Sequence, residues 1–277
     1  MTSIDQAAAS PTVAVAVAQF APGSDAQENL ERMAELASTS VARGARLVVF
    51  PEYSSYFVDP VDMRFVDHAE PLDGPFTKAV AELSEALDVT IVAGFAELTD
   101  VPGHFSNTLA AVAPRAGIRA VYRKQHLYDA FGSRESDVVV PGPLDPPQLF
   151  TVDGLSVGLQ TCYDLRFPEV TRTIVDAGAD LVVVPSEWVR GPLKEHHWRT
   201  LITARAIENT VFVAAADHVA PIGVGASIVV DPMGVVMADA GERTGIALAW
   251  LDRERLAAVR QQNPALALRR YDVVPKP

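Results

Sequence analysis

A single cysteine, Cys162, stands in the 277 residues, so no intrachain disulfide can form. A disulfide-framed secreted scaffold is excluded, and the reducing cytoplasm is the expected compartment. Positive charge is scarce too: 23 Lys and Arg against 35 Asp and Glu leave a net charge of −12. No basic run or stripe is present, so DNA and RNA are not expected partners. No apolar stretch approaches the roughly 18–20 residues that cross a bilayer. Residues 1–12 lack a basic region followed by an apolar one, so they read as a loose tail and not as a signal peptide. Metal-ligand spacing is missing as well. His196 and His197 are adjacent, not four apart, and His104, His126 and His218 are scattered. Gly223-Val224-Gly225 lacks the last glycine of a dinucleotide loop and precedes a strand, so it reads as a turn. Neither a metal nor a cofactor is expected. Met233 and Met237 are expected in the core.

What remains is an ordinary globular composition, 49% apolar and 21% charged, able to bury a large core. Short β-rich runs alternate with helical patterns. Strands are expected at 13–20, 47–50, 90–95, 108–112, 118–122, 149–152, 155–160, 181–184, 211–216, 227–230, 235–237 and 246–251. Helices are expected at 26–42, 76–87, 168–177, 193–209 and 253–262, the last capped by Asp252. Asp153-Gly154 is a hairpin turn signal. No low-complexity linker and no repeat of 20–50 residues interrupts the pattern. The expected organisation is one α/β domain over 13–262 with sheets buried on both faces, followed by an extended arm, 263–277.

Three expected strand ends carry a reactive residue, and ligand sites in α/β sheets favour strand ends. The strand 47–50 runs through Pro51 into Glu52. The strand 118–122 runs through Arg123 into Lys124. The strand 155–160 runs through Thr161 into Cys162, with a helix opening near Pro168. Each has a plain alternative: a solvated carboxylate, a basic strand end, a buried small hydrophobe. A thiol on a strand-to-helix elbow lies near a helix N-terminus and backbone N–H groups, which favour thiolate.

Together these segments resemble the nitrilase, or carbon–nitrogen hydrolase, superfamily. The resemblance lies in Phe50-Pro51-Glu52, in Lys124-Gln125-His126-Leu127 and in Cys162-Tyr163-Asp164-Leu165-Arg166-Phe167-Pro168-Glu169. It extends to Arg134-Glu135-Ser136 ahead of Pro141-Gly142, to 204–209 and to 259–264, and covers roughly residues 13–272. It implies a four-layer α-β-β-α sandwich, a homodimer or larger assembly, and a C-terminal arm at a subunit boundary. It also implies a catalytic set: Cys162 as nucleophile, Glu52 as base, Lys124 as the cation facing a developing oxyanion, and Glu135 as a second glutamate that orients Lys124 or the substrate. The backbone N–H of Tyr163 is the expected second oxyanion donor.

The chemistry needs these residue types. An amide carbon is a poor electrophile, and a neutral thiol is a weak nucleophile, so a base must remove the sulfur proton. The branch holding omega-amidases and deaminated-glutathione amidases is the nearest in motif, which implies a small amide and water as reactants. A nitrilase or an N-carbamoyl hydrolase would use the same groups, and an idle scaffold of the same fold is the alternative outside catalysis. Substrate contacts are expected from Tyr56, Tyr163, Arg166, Glu187 and Trp188. Asp164 and Arg166 have an alternative as an ion pair or hydrogen-bond network that fixes the elbow. Glu187 stands where related amidases carry a small or aromatic residue.

Overall fold

The computed structural model describes residues 12–276. Their twelve strands form two six-stranded sheets. The first runs β12 (Gly245–Asp252), β1 (Thr12–Gln19), β2 (Leu47–Val49), β3 (Thr90–Leu98), β4 (Phe105–Ala113), β5 (Gly117–Arg123). The second runs β11 (Val236–Asp239), β10 (Ile228–Val230), β9 (Phe212–Asp217), β8 (Leu181–Ser186), β7 (Leu155–Leu159), β6 (Leu149–Val152).

Period-two side-chain alternation builds the layers. In β1, Val13, Val15 and Val17 join Leu181 and Val183 of β8 and Phe212 and Ala214 of β9 in a core between the sheets. The intervening residues face outward. Ala16, Val48 and Ile91 meet Met33 of α1 (Ala26–Ala42) and Val80 of a later helix, Pro75–Leu87. On the other side Val182, Val184 and Val213 meet Val170 and Ile174 of Pro168–Asp176, and Trp198 and Ile202 of Lys194–Asn209. The order of layers is therefore helix, sheet, sheet, helix. Each fully buried Val or Leu contributes about 1.5–3 kcal/mol.

Local signals explain the element ends. Asp25 Oδ1 accepts from Gln27 N and Glu28 N and starts α1. Asp252 does the same for the last helix, Arg253–Gln262, by accepting from Glu254 N. Asp153 and Gly154 both take positive φ, 45° and 83°, as a two-residue hairpin between β6 and β7 requires. A five-residue helix, α2 (Met63–Asp67), was not foreseen; the helices above from 75, 168, 194 and 253 are α3 to α6.

Met233 and Met237 are not core residues but are 46% and 38% exposed: Met233 lies in the turn after Asp231, and Met237 lies in β11, the outermost strand of its sheet, which shows three of its four residues to solvent. The loose-tail expectation, apart from Thr12, lies outside the described residues. Residues 263–276 form no strand or long helix. Leu266 packs against the outer layer of the second sheet, and Arg269 pairs with Asp176 at 2.6 Å. Among the described residues no helix is long and apolar enough to cross a membrane.

Candidate active site

β1, β2 and β3 are mutually parallel, and β5 runs in the same sense as β3 through two antiparallel pairings. The segments leaving β2 and β5 therefore emerge at one edge of the first sheet. In the second sheet β7, β8 and β9 are parallel and deliver their ends together. A cavity of about 430 Å³ lies where these ends meet, a size that suits a small molecule. Glu52, Lys124, Glu135, Cys162, Tyr163, Glu187 and Trp188 all line it.

The ammonium of Lys124 sits at the centre of a buried network. Its Nζ donates to Glu52 Oε1 at 2.9 Å and to Glu135 Oε1 at 3.0 Å. Asn107 Nδ2 donates to the same Oε1 atoms at 2.6 and 3.2 Å. Tyr53 Oη and the N–H of Tyr128 complete the cradle of Glu135 at 2.8 and 2.6 Å. Burial by itself would neutralise this lysine, but the carboxylates of Glu135 and Glu52 hold its pKa well above the usual lysine range. Burial raises the Glu52 carboxyl, with Lys124 pulling it back and Glu135 pushing it further up. A carboxylate so raised is a stronger base than a solvated one.

Cys162 opens a 3-10 turn, Cys162–Arg166, at φ +44°, after Gln160 and Thr161 lead out of β7. Arg205 of α5 braces that turn, donating from Nε and Nη2 to the carbonyl of Leu165 at 3.1 and 2.7 Å. The sulfur donates to the carbonyl of Glu187 at 3.4 Å, while the N–H of Glu187 donates to Glu52 Oε2 at 2.6 Å. One residue thus links the thiol to the carboxylate. The expectation of a favoured thiolate is corrected. Burial, and next the charge of Glu52, push the thiol well above the usual cysteine range, and Lys124 only partly opposes them. The proton stays on sulfur until a base takes it.

Backbone groups fix the rest. His218 Nε2 donates to the carbonyl of Glu52 at 2.6 Å, and burial pushes that imidazole down to about 4, so it is neutral at physiological pH. Asp217 Oδ1 accepts from the N–H of Trp188 at 2.6 Å. Lys194 of α5 enters the cavity wall with Nζ 2.9 Å from Tyr128 Oη and 4.5 to 5.3 Å from the ring centres of Phe131, Tyr128 and Trp188.

Two expected substrate contacts lie outside the cavity lining. Tyr56 is buried and stacks on His68 with ring centres 3.9 Å apart; its neighbour Phe57 lines the wall instead. Arg166 lays its guanidinium over Trp188, 4.9 Å from the ring centre, and donates to His197 Nδ1 at 3.4 Å. It forms no ion pair with Asp164. That carboxylate is held by Tyr122 Oη and by His126 N and Nδ1, at 2.7 to 2.9 Å. Sequence reading missed Asn107, Tyr53, Tyr128, Lys194, Asp217 and the structural use of His218. Only Asn107 carried a signal, since Ser106-Asn107-Thr108 is a polar run inside an otherwise apolar strand. Among the described residues no cluster of three or more His, Cys, Asp or Glu could hold a metal ion.

Comparisons with known proteins agree with this architecture. Residues 14–261 match the family model for carbon-nitrogen hydrolase. The chain is 39% identical over 258 residues to a deaminated glutathione amidase of Escherichia coli O157:H7, covering 93% of this chain and 97% of that one. It is 37% identical over 268 residues to a hydrolase of Mycobacterium tuberculosis, covering 91% and 94%. The crystal structure of a carbon-nitrogen hydrolase from Helicobacter pylori superposes with a TM-score of 0.85 at 25% identity, covering 94% and 96%.

Proposed function

This chain belongs to the carbon–nitrogen hydrolase family, and we propose that it is an amidase that opens a small linear amide through a thioester on Cys162. The observation that supports this reading most directly is the main chain of Glu187. It receives the sulfur on its carbonyl and gives its N–H to Glu52, inside the cavity that also holds Lys124.

In this reading Glu52 takes the proton from Cys162 as sulfur attacks the amide carbon. Lys124 and the N–H of Tyr163 meet the negative charge that develops on the carbonyl oxygen. Tyr163 is the second residue of its 3-10 turn, where N–H groups have no acceptor within the turn. The carbon–nitrogen bond then breaks, and the ammonia or amine leaves with the proton held by Glu52. Water attacks the thioester with Glu52 again as base, and carboxylate and free thiol result. Glu135 keeps Lys124 charged and aimed, so it acts through that lysine.

A nitrile or an N-carbamoyl compound could use the same three groups. Amides of the kind named for the Escherichia coli relative are the first substrates to try. We read residues 263–276 as a contact between subunits, because Leu268, Tyr271 and Val274 are 71%, 89% and 76% exposed. Light scattering before and after removal of that arm tests this, and an unchanged mass would contradict it. The catalytic test is ammonia release from a panel of amides, nitriles and carbamoyl compounds by wild type, Cys162→Ser and Cys162→Ala, with rapid-quench intact mass. Wild type should favour amides and carry an acyl adduct on Cys162, and both variants should be folded and inactive. Amidase turnover by purified Cys162→Ala would overturn the mechanism.

A further inference from the structure

The mechanism leaves the buried carboxyl of Glu187 unused. Glu187 is only 8% exposed and lines the cavity beside Cys162. Its Oε1 is buried without a hydrogen-bond partner, and among the described residues no cation pairs with its carboxyl. The two lysines of the cavity are engaged elsewhere. Lys124 is held by Glu52 and Glu135, and Lys194 by the hydroxyl of Tyr128 and three aromatic rings.

The side chain cannot easily swing away to solvent. The main chain is pinned on both sides: the N–H of Glu187 to Glu52, its carbonyl to Cys162, and the N–H of Trp188 to Asp217. An unpaired buried carboxylate would cost several kcal/mol, whereas a protonated carboxyl loses far less on burial. The groups that face it point the same way. Beyond burial itself, Glu52 after β2, Asp217 of β9 and Glu135 disfavour a further negative charge, and Lys124 after β5 and Lys194 of α5 offset them only in part. A carboxyl kept neutral carries an O–H, and such a donor aimed into an enzyme cavity needs an acceptor.

On the amidase reading above, we propose that the Glu187 carboxyl donates a hydrogen bond to the acyl arm of the substrate. The cavity accordingly selects amides that carry an oxygen acceptor close to the scissile carbonyl. A cavity that leaves a polar group unpaired with the wrong substrate discriminates strongly, because the penalty falls on the complex lacking the acceptor.

Two measurements test this. The first is an infrared difference spectrum of wild type minus Glu187→Leu at neutral pH. The carbonyl stretch of a protonated carboxyl should appear; carboxylate bands in its place would overturn the proposal. The second compares methoxyacetamide with butyramide, which differ by one ether oxygen in place of a methylene. Wild type should favour the ether in kcat/KM by about tenfold. Glu187→Gln, which keeps an uncharged donor, should preserve that ratio, and Glu187→Leu should bring it to about one. An equal ratio in wild type and Glu187→Leu would sink the Glu187 assignment alone. Absence of ammonia release from both amides by wild type would sink the amidase reading and, with it, the substrate half of the proposal.

Discussion

Gly94 offers a severe test of how closely the Glu52 carboxylate is positioned. It sits in β3 against the segment that leaves β2. Its N–H donates to the carbonyl of Pro51, and its carbonyl accepts from the N–H of Ser55. A Cβ at this position would lie 2.7 Å from Tyr53 N and 2.8 Å from Glu52 Cα. Ordinary contact begins near 3.4 Å, so the deficit is about 0.7 Å. Both neighbours are backbone atoms, and no flexible side chain can give way. Gly94→Ala must therefore push Glu52 away from β3, and so shift it relative to Lys124 and Cys162. A misplacement of about 1 Å at a reacting group costs about a hundredfold. We expect kcat/KM for amide hydrolysis to fall about tenfold to fiftyfold, with a stability loss of about 1–3 kcal/mol from overpacking. Steady-state ammonia release well below the melting temperature separates the two effects. Gly23→Ala is the control, since nothing lies within 4 Å of a Cβ there. A Gly94→Ala enzyme within twofold of wild type would refute the claim that this glycine sets the position of Glu52, the base of the proposed mechanism.

Other perturbations probe the charges. Lys124→Met leaves the buried carboxylates of Glu52 and Glu135 without their shared cation, so unfolding free energy in urea should drop by about 3–5 kcal/mol, and turnover should fall at least about a hundredfold; a stability loss under about 1 kcal/mol would contradict a charged, paired lysine. Burial raises the Glu187 and Asp217 carboxyls well above the usual range, so the folded state binds protons that the unfolded chain has already released. The stability tied to them is complete below about pH 4 and declines as the pH climbs through their raised values. Glu187→Gln should flatten that decline in urea midpoints measured from acid to alkaline pH, and parallel curves for the two proteins would remove Glu187 as a cause.

Much of the framework was legible because backbone periodicity reports burial directly. Leu181-Val182-Val183-Val184 reads as a strand, and the structure buries all four of its residues. Glu52, Lys124 and Cys162, each open to a plain alternative when read alone, were singled out by the family resemblance of their segments, and the structure brings all three to one cavity. Lys194 was not legible, since one lysine in a helix looks like any other until Phe131, Tyr128 and Trp188 close around it from three separate segments. The state of the thiol was misjudged for a related reason. A helix N-terminus is a local feature readable from sequence, whereas burial among Glu52, Glu187 and Glu135 is a tertiary one, and here it dominates. Tyr56 and Phe57 are adjacent, yet only Phe57 reaches the cavity, which spacing alone could not decide.

Glu52 and Lys124 hang from the first sheet, Cys162 and Glu187 from the second. The reactive geometry is therefore owned by neither half but by the seam between them. Apolar residues far from the cavity, such as Val49 and Leu159 in the shared interior, act as the spacer that sets how far the Glu52 carboxylate and the Cys162 sulfur stand apart. Trimming or thickening that layer would detune the enzyme without touching a polar atom, and a chain whose sheets have begun to slide would fall silent while each sheet was still intact.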